Sequence, residues 1–262
     1  MMNNNDLKTI LITGASSGLG AALALHYAQM KGAASVRLCL NGRDAVRLNN
    51  VAEQCRLFGA EVHQFCGDVV DRDSLYHWIL ECDKRFQIDI LIANAGISGG
   101  TRNEAVSDWI AGDYDIFQVN LMGVLNTLHP IIPRFCERRA GQIAVISSLA
   151  GFAPWAGAPA YAASKAGVRF YSEALAASLK PYNVSVTAIC PGFIKTPMTD
   201  VNQFSMPFLM QPETAAKLIA QAIERRSMRF AFPFITAYVA QLIGLIPPPL
   251  IQFIMKFAPK KS

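Results

Sequence analysis

The chain has little charge and little histidine: 16% of its 262 residues are Asp, Glu, Lys or Arg, and four are His. Its six cysteines, Cys39, Cys55, Cys66, Cys82, Cys136 and Cys190, form no CxxC pair and no Cys/His ligand spacing, and they do not gather in a small loop-rich unit. These absences argue against a disulfide framework and against a metal centre. The cysteines instead read as small buried apolar residues in a reducing compartment. There is no internal repeat and no low-complexity tract. Met1 to Asp6 is a short polar stretch without the basic region and apolar run of a secretory leader, so the expected compartment is the cytoplasm. The net charge of +5 is mild, and the bases are scattered apart from Arg225, Arg226, Arg229 and the tail lysines, which argues against nucleic acid as a partner.

What the sequence has is alternation. From Lys8 to Cys190, short β-branched or apolar runs alternate with longer helical stretches, the order of a parallel sheet covered on both faces. Strands are predicted near Thr9–Thr13, Val36–Leu40, Val62–Cys66, Ile88–Ala93, Gln142–Ser147, Ser185–Cys190 and Arg229–Phe232. The runs Leu91–Ile92 and Ile143–Ile146 are nearly all apolar, as strands buried on both faces are. Gly32 and Gly59 fall where helices should stop, and Pro191-Gly192 marks another break. The fold class expected is α/β: a single Rossmann-like, doubly wound domain of about seven parallel strands with helices on both faces.

The first strand runs into Thr13-Gly14-Ala15-Ser16-Ser17-Gly18-Leu19-Gly20, and a helical run follows at once. Glycines in such a turn let backbone N–H groups approach a pyrophosphate, which the helix N-terminus also attracts through its dipole. By itself the turn is only moderately specific. An acidic side chain at the end of the second strand would bond a ribose hydroxyl and repel a 2′-phosphate. This chain has Asn41-Gly42-Arg43 there, and the guanidinium fork of Arg43 suits a phosphate, so NADP(H) is favoured over NAD(H), with Asp44 as a competitor for Arg43. Asp68, followed by Val69, either accepts a bond from an adenine amino group or caps a helix.

Tyr161 and Lys165 are four apart, which places phenol and ammonium on one helix face. A cation beside a tyrosine favours the phenolate and brings a group of pKa ~10 toward working range. Alone, such a pair is an ordinary solvated face. Its meaning changes because Ser147-Ser148 ends a buried strand, with Ser148 thirteen positions before Tyr161. A hydroxyl there emerges at the C-terminal sheet edge, where open α/β sheets bind ligands. Strand alternation turns the two serines to opposite faces. Asn94-Ala95-Gly96 ends the preceding strand, and Asn120 lies among apolar residues, where a buried amide needs partners.

Taken together, Thr13-Gly14-x-x-x-Gly18-x-Gly20, Asn94-Ala95-Gly96, Ser148 with Tyr161-x-x-x-Lys165, and Pro191-Gly192 strongly resemble the short-chain dehydrogenase/reductase family, from about Lys8 to Thr196. The family's second motif usually opens with two asparagines; Ala93 stands in the first place here. The resemblance implies hydride transfer between a nicotinamide and a carbonyl or alcohol carbon. Tyr161 would be the acid/base, and Ser148 would bond the reacting oxygen. Lys165 would lower the tyrosine pKa and bond the nicotinamide ribose, and Asn120 would hold a water leading to solvent. Thr13, Gly14, Ser16, Ser17, Gly18, Leu19 and Gly20 would hold the dinucleotide together with Arg43, Asp68, Val69, Asn94, Ala95, Gly96, Tyr161 and Lys165. Pro191, Gly192, Ile194 and Thr196 would sit against the nicotinamide. No metal is implied, and a homodimer or homotetramer is.

Residues 1–228 are thus assigned to the dinucleotide-binding and catalytic unit, with a substrate lid at about 193–211. Phe193, Met198, Phe204, Met206, Phe208, Leu209 and Met210 supply an adaptable apolar wall there, or pack as ordinary core. Residues 229–262 are assigned to a last strand and an apolar tail of the same domain. From Phe230 to Met255 no residue is charged, but Pro233 and Pro247-Pro248-Pro249 break the run into Ile235–Ile246 and Leu250–Phe257, too short to span a bilayer as one helix. Three roles stay open for the tail: a peripheral contact with the inner face of a membrane, a lid, or a subunit contact. All three suit an apolar, lipid-like substrate.

Overall fold

A computed structural model describes residues 7–30, 36–99, 106–202, 204–247 and 249–251, without the side chains of 106–109. Gly32 and most of the Leu250–Phe257 piece lie outside them. The strands are β1 (Lys8–Ile12), β2 (Val36–Gly42), β3 (Glu61–Cys66), β4 (Ile90–Ala93), β5 (Gly141–Ile146), β6 (Val184–Pro191) and β7 (Arg229–Phe232). They form one seven-stranded sheet in the order β3-β2-β1-β4-β5-β6-β7, every pairing parallel. The fourth strand begins two residues later than expected. Ile88 and Asp89 form the approach to it, held by Ile88 N donating to Asp83 and by Thr9 N donating to Asp89.

The helices between them are α1 (Gly18–Gln29), α2 (Ala45–Leu57), α3 (Arg72–Phe86), α4 (Val106–Phe117), α5 (Gly123–Leu128), α6 (Ile132–Arg138), α7 (Pro159–Leu179), α8 (Pro197–Asp200), α9 (Pro212–Glu224) and α10 (Phe234–Ile243). A π-turn, Gln118–Met122, joins α4 to α5. Period-2 alternation in buried strands sends neighbouring residues to opposite faces. Ile10, Ile12, Leu38, Leu40, Ile90 and Ile92 pack with α1, α2 and α9, while Leu11, Cys39, Leu91, Ile143, Val145 and Val186 pack with α3, α5, α6 and α7. The strand order reverses between β1 and β4, and beyond their C-terminal ends the chain turns to opposite faces of the sheet, the place where open α/β sheets carry a crevice.

All six cysteines are free, and four are buried as expected. Cys66 is exposed, its thiol reaching the carbonyl of Arg43 at 3.4 Å, because it ends the edge strand β3.

Asp83, near the end of α3, is 6% exposed and accepts from Ile88 N at 3.0 Å while pairing with Arg138 at 2.8 Å. It joins α3, α6 and the approach to β4. Removing one partner of such a pair strands the other in low dielectric. Asp83→Ala is expected to lower stability by about 3 kcal/mol, read as a shifted urea midpoint at unchanged slope. A loss below about 1 kcal/mol would show the pair to be marginal.

Candidate active site

The glycine turn closes because side chains would not fit. Gly14 has φ 66°, and a Cβ on it would lie 2.7 Å from the Cα of Ala95; a Cβ on Gly20 would collide with the carbonyl of Gly14. Asn94 fastens the turn to the end of β4, its amide donating to the carbonyls of Thr13 at 2.9 Å and Gly14 at 3.2 Å. In return, the Thr13 hydroxyl accepts from the backbone N–H groups of Asn94 and Ala95. Ser17 precedes α1 without using its side chain as a cap, and no acidic residue sits in the first turn of that helix. The N-terminus is therefore electropositive and open to an anion.

A cleft of about 460 Å³ runs along this edge. It is lined by the turn from Gly14 through Gly20 except Ala15, by Arg43, Asp68, Val69, and by Asn94 to Gly96. At its far end stand Ser148, Tyr161, Lys165, Pro191, Gly192, Ile194 and Thr196. The crevice thus gathers nearly every site residue named from sequence. Thr13 lies behind it in a supporting position, and Asn120 is buried beside it.

At the β2 end of the cleft, Arg43 is 60% exposed and pairs with Asp68 at 3.2 Å. The competitor expected from sequence was Asp44, which instead caps α2 by accepting from Arg47 N at 2.9 Å and pairs with the Arg47 side chain at 3.1 Å. Helix-capping geometry decides this, since an Asp at the N-cap aims at its own helix. Asp68 spends its second oxygen on Val70 N. Arg47 also faces the cleft and was missed; its spacing of four from Arg43, across a helix start, was the available signal. Asn41 was missed as well. Its amide crosses to the carbonyls of Phe65 and Gly67 and holds the ends of β2 and β3 together.

At the other end, α7 lies against β5. Lys165 is 4% exposed and its ammonium donates to the carbonyl of Ile146 at 2.9 Å. Burial lowers its pKa to about 8. Burial raises the Tyr161 phenol above its usual 10, and a hydrogen bond with Ser148 pulls part of the way back. Burial, and not the neighbouring ammonium, dominates the shift of the phenol: the ammonium is turned to a carbonyl, 5.8 Å from the phenol ring centre. Ser148 accepts from Ala150 N at 3.1 Å, which fixes its hydroxyl. Ser147 points the other way, as alternation requires, and donates to the main-chain carbonyl of Lys165 at 2.7 Å.

Asn120 sits in the π-turn. Its oxygen accepts from Ile97 N at 2.8 Å, and its nitrogen donates to the Ile97 carbonyl and to Ser164. Ser164 was not named from sequence, although its place between Tyr161 and Lys165 offered the hint. A Cβ on Gly96 would lie 3.2 Å from the Asn120 oxygen and 3.3 Å from the Lys165 ammonium. The absence of a side chain at Gly96 leaves a small polar space between the two groups. No group of three or more metal-ligating side chains occurs among the described residues.

The base of the expected lid is pinned. Met210 N donates to the Phe193 carbonyl, Lys195 N to the Met210 carbonyl, and Ile194 bridges Met210. Phe193 packs edge-on to Phe204, Met198 reaches the cleft, and Phe208 and Leu209 are exposed. Met210 packs on the core instead of walling the cleft.

The sequence pattern described as short chain dehydrogenase matches residues 8–205. An uncharacterized oxidoreductase of Myxococcus xanthus is 36% identical over 94% of this chain and 95% of the relative. A 3-oxoacyl-acyl-carrier-protein reductase of Thermotoga maritima is 34% identical over 74% of this chain and 76% of its own length. Among solved structures, a short-chain dehydrogenase from Sphingobium yanoikuyae in complex with NADPH superposes with a TM-score of 0.77, at 29% identity over 98% of both chains. A Mycobacterium paratuberculosis short-chain dehydrogenase bound to NAD reaches the same TM-score at 21% identity, covering 90% of this chain and all of the other, which speaks for the fold alone. With the glycine turn, the Ser148, Tyr161 and Lys165 cluster and the seven-stranded parallel sheet on one crevice, the chain belongs to the short-chain dehydrogenase/reductase family.

Proposed function

We propose that this protein is an NADP(H)-dependent oxidoreductase that reduces the carbonyl group of an apolar, lipid-like substrate, with Tyr161 as the proton donor. The observation that carries the reading is the meeting of the Tyr161 phenol, the fixed Ser148 hydroxyl and the buried Lys165 ammonium at the end of the cleft that the glycine turn borders. A phenol that holds its proton at neutral pH has one to give to a carbonyl oxygen as hydride arrives at the carbon. The glycine turn, the open N-terminus of α1 and a cleft lined by both strand ends fit a nicotinamide dinucleotide. When bound, that group supplies the hydride.

The chain's own residues do the rest. Ser148, oriented by Ala150 N, bonds the substrate oxygen. Tyr161 gives that oxygen a proton. Lys165, as a cation below about pH 8, steadies the developing phenolate and bonds the ribose. The space beside Gly96 accommodates a water between Lys165 and Asn120, whose second lone pair remains for it; through it the proton is replaced. Pro191, Gly192, Ile194 and Thr196 present a largely apolar wall to the nicotinamide. Phe193, Phe204 and Met198 around the lid favour an apolar substrate. The relatedness to a 3-oxoacyl-acyl-carrier-protein reductase is in keeping with an acyl-like carbonyl. The reading includes a homo-oligomer and a cytoplasmic place, peripheral to the inner face of a membrane.

The test is carbonyl-dependent NADPH oxidation over a panel from short diketones to long-chain acyl and sterol ketones. Turnover on long apolar ketones is expected, with Tyr161→Phe lowering kcat by about a hundredfold or more while NADPH binding persists. Turnover that survives the substitution would contradict the role of the phenol.

Arg43 and Arg47 favour the 2′-phosphate, whereas the Arg43 to Asp68 pair is the feature that favours NAD(H) instead, because it occupies the guanidinium. Arg43→Ala is expected to raise KM for NADPH about tenfold and leave that for NADH nearly unchanged. Equal small effects on both would remove Arg43 from phosphate binding.

A further inference from the structure

The outer face of α10 is apolar and, among the described residues, uncovered. Phe234, Ile235, Tyr238, Val239 and Leu242 are exposed along it, and Leu245 continues the stripe just beyond; Phe234 is 80% and Leu245 81% exposed. Only Ala237 of the helix is buried. These positions follow helical spacing, so the apolar side chains form one band and not a scatter. A contiguous band of this kind on a soluble fold marks a contact surface.

Charge indicates what the surface meets. Residues 225–262 hold Arg225, Arg226, Arg229, Lys256, Lys260 and Lys261 and no acidic residue. Since the whole chain nets +5, residues 1–224 net −1, and the protein's excess positive charge belongs to the same terminal segment as the apolar band. An anionic lipid surface accounts for this coincidence, because the acyl boundary takes the apolar face while the headgroups attract the bases. Phe234 stacks with Tyr238 at 6.5 Å, giving the band the amphipathic aromatic end that interfaces accommodate. The apolar surface also continues inward. A second cavity of about 920 Å³ opens beside the helix, lined by Phe152, Trp155, Ala166, Leu245 and Ile251, with Arg229 on its wall. No described helix is long and apolar enough to cross a membrane, which leaves a helix lying in the surface.

We infer that α10 docks on an anionic membrane surface, with its Phe234 to Leu245 band among the acyl chains and the net positive charge of the terminal segment supplying the attraction to the headgroups. The inference makes specific the membrane-peripheral place proposed above and does not depend on the reaction assigned to the cleft.

The experiment is co-sedimentation of the full chain with vesicles of phosphatidylcholine alone and with about one-third phosphatidylglycerol, for the native protein and for Ile235→Glu with Leu242→Glu. Molar mass in solution and NADPH affinity are measured on both. Binding to the anionic vesicles is expected. It should fall about tenfold or more in pure phosphatidylcholine, and as much in the double variant at unchanged molar mass and NADPH affinity. Absent binding, or equal binding by the two proteins, overturns the inference. So does a variant that falls from oligomer to monomer when the native protein ignores vesicles, since the band is then a contact between copies. Should the double variant not fold, Leu242→Trp gives the answer: its added emission must shift to the blue on anionic vesicles, and no shift overturns the inference. Because no turnover is read, an error about the reaction leaves this result intact.

Discussion

Burying an ammonium is costly, and in this fold the cost is met by where α7 lies on β5. Lys165 loses nearly all contact with water and recovers part of the loss through the Ile146 carbonyl. Two further contacts make that placement rigid. Ser147, at the end of β5, bonds the carbonyl of Lys165 itself, and Gly151 approaches so closely that a Cβ there would stand 2.7 Å from the same carbonyl carbon. Strand end, turn and helix therefore behave as one body. Ser148 opens that turn, and Tyr161 precedes Lys165 by one helical turn, so fixing the lysine fixes all three.

The other half of the cleft is held by the same economy of backbone approach. Glycines let the first turn reach the end of β4, and Asn94 with Thr13 stitches the two strand ends across the point where the sheet order reverses. The cleft is thus framed between two strand-end assemblies whose positions are set by a continuous core on either face of the sheet. Ser148, Tyr161 and Lys165 are thus held with little local freedom, the kind of preorganisation by which sites lower barriers.

Most of this was legible in the chain. Parallel strands buried on both faces leave apolar runs, and turns that need close backbone approach leave glycines, so the sheet and the phosphate turn could be read locally. The spacing of Tyr161 and Lys165 survived into the structure because a helix carries its period with it. What could not be read depended on directions set by distant elements. The partner of Arg43 is Asp68, on another strand end, and not the adjacent Asp44, which capping geometry diverts. The sign of the Tyr161 shift depends on burial by surrounding elements, and a pattern of residue types does not carry burial. The π-turn that holds Asn120, and the service of Gly96 as a space between two polar groups, likewise appear only when separate elements meet.

The most direct test of a buried lysine working beside a protonated tyrosine is the pH dependence of carbonyl-dependent NADPH oxidation at saturating substrate. Lys165 has a folded pKa lowered to about 8, so its cation is present below that value and lost above it, while the raised phenol keeps its proton across the same range. A rate that is level below about pH 8 and falls above it is expected, and the fall should be absent from the residual activity of Lys165→Met. A rate that instead climbs through pH 8 would mean that a phenolate base does the work, and would contradict the proton-donor role of Tyr161.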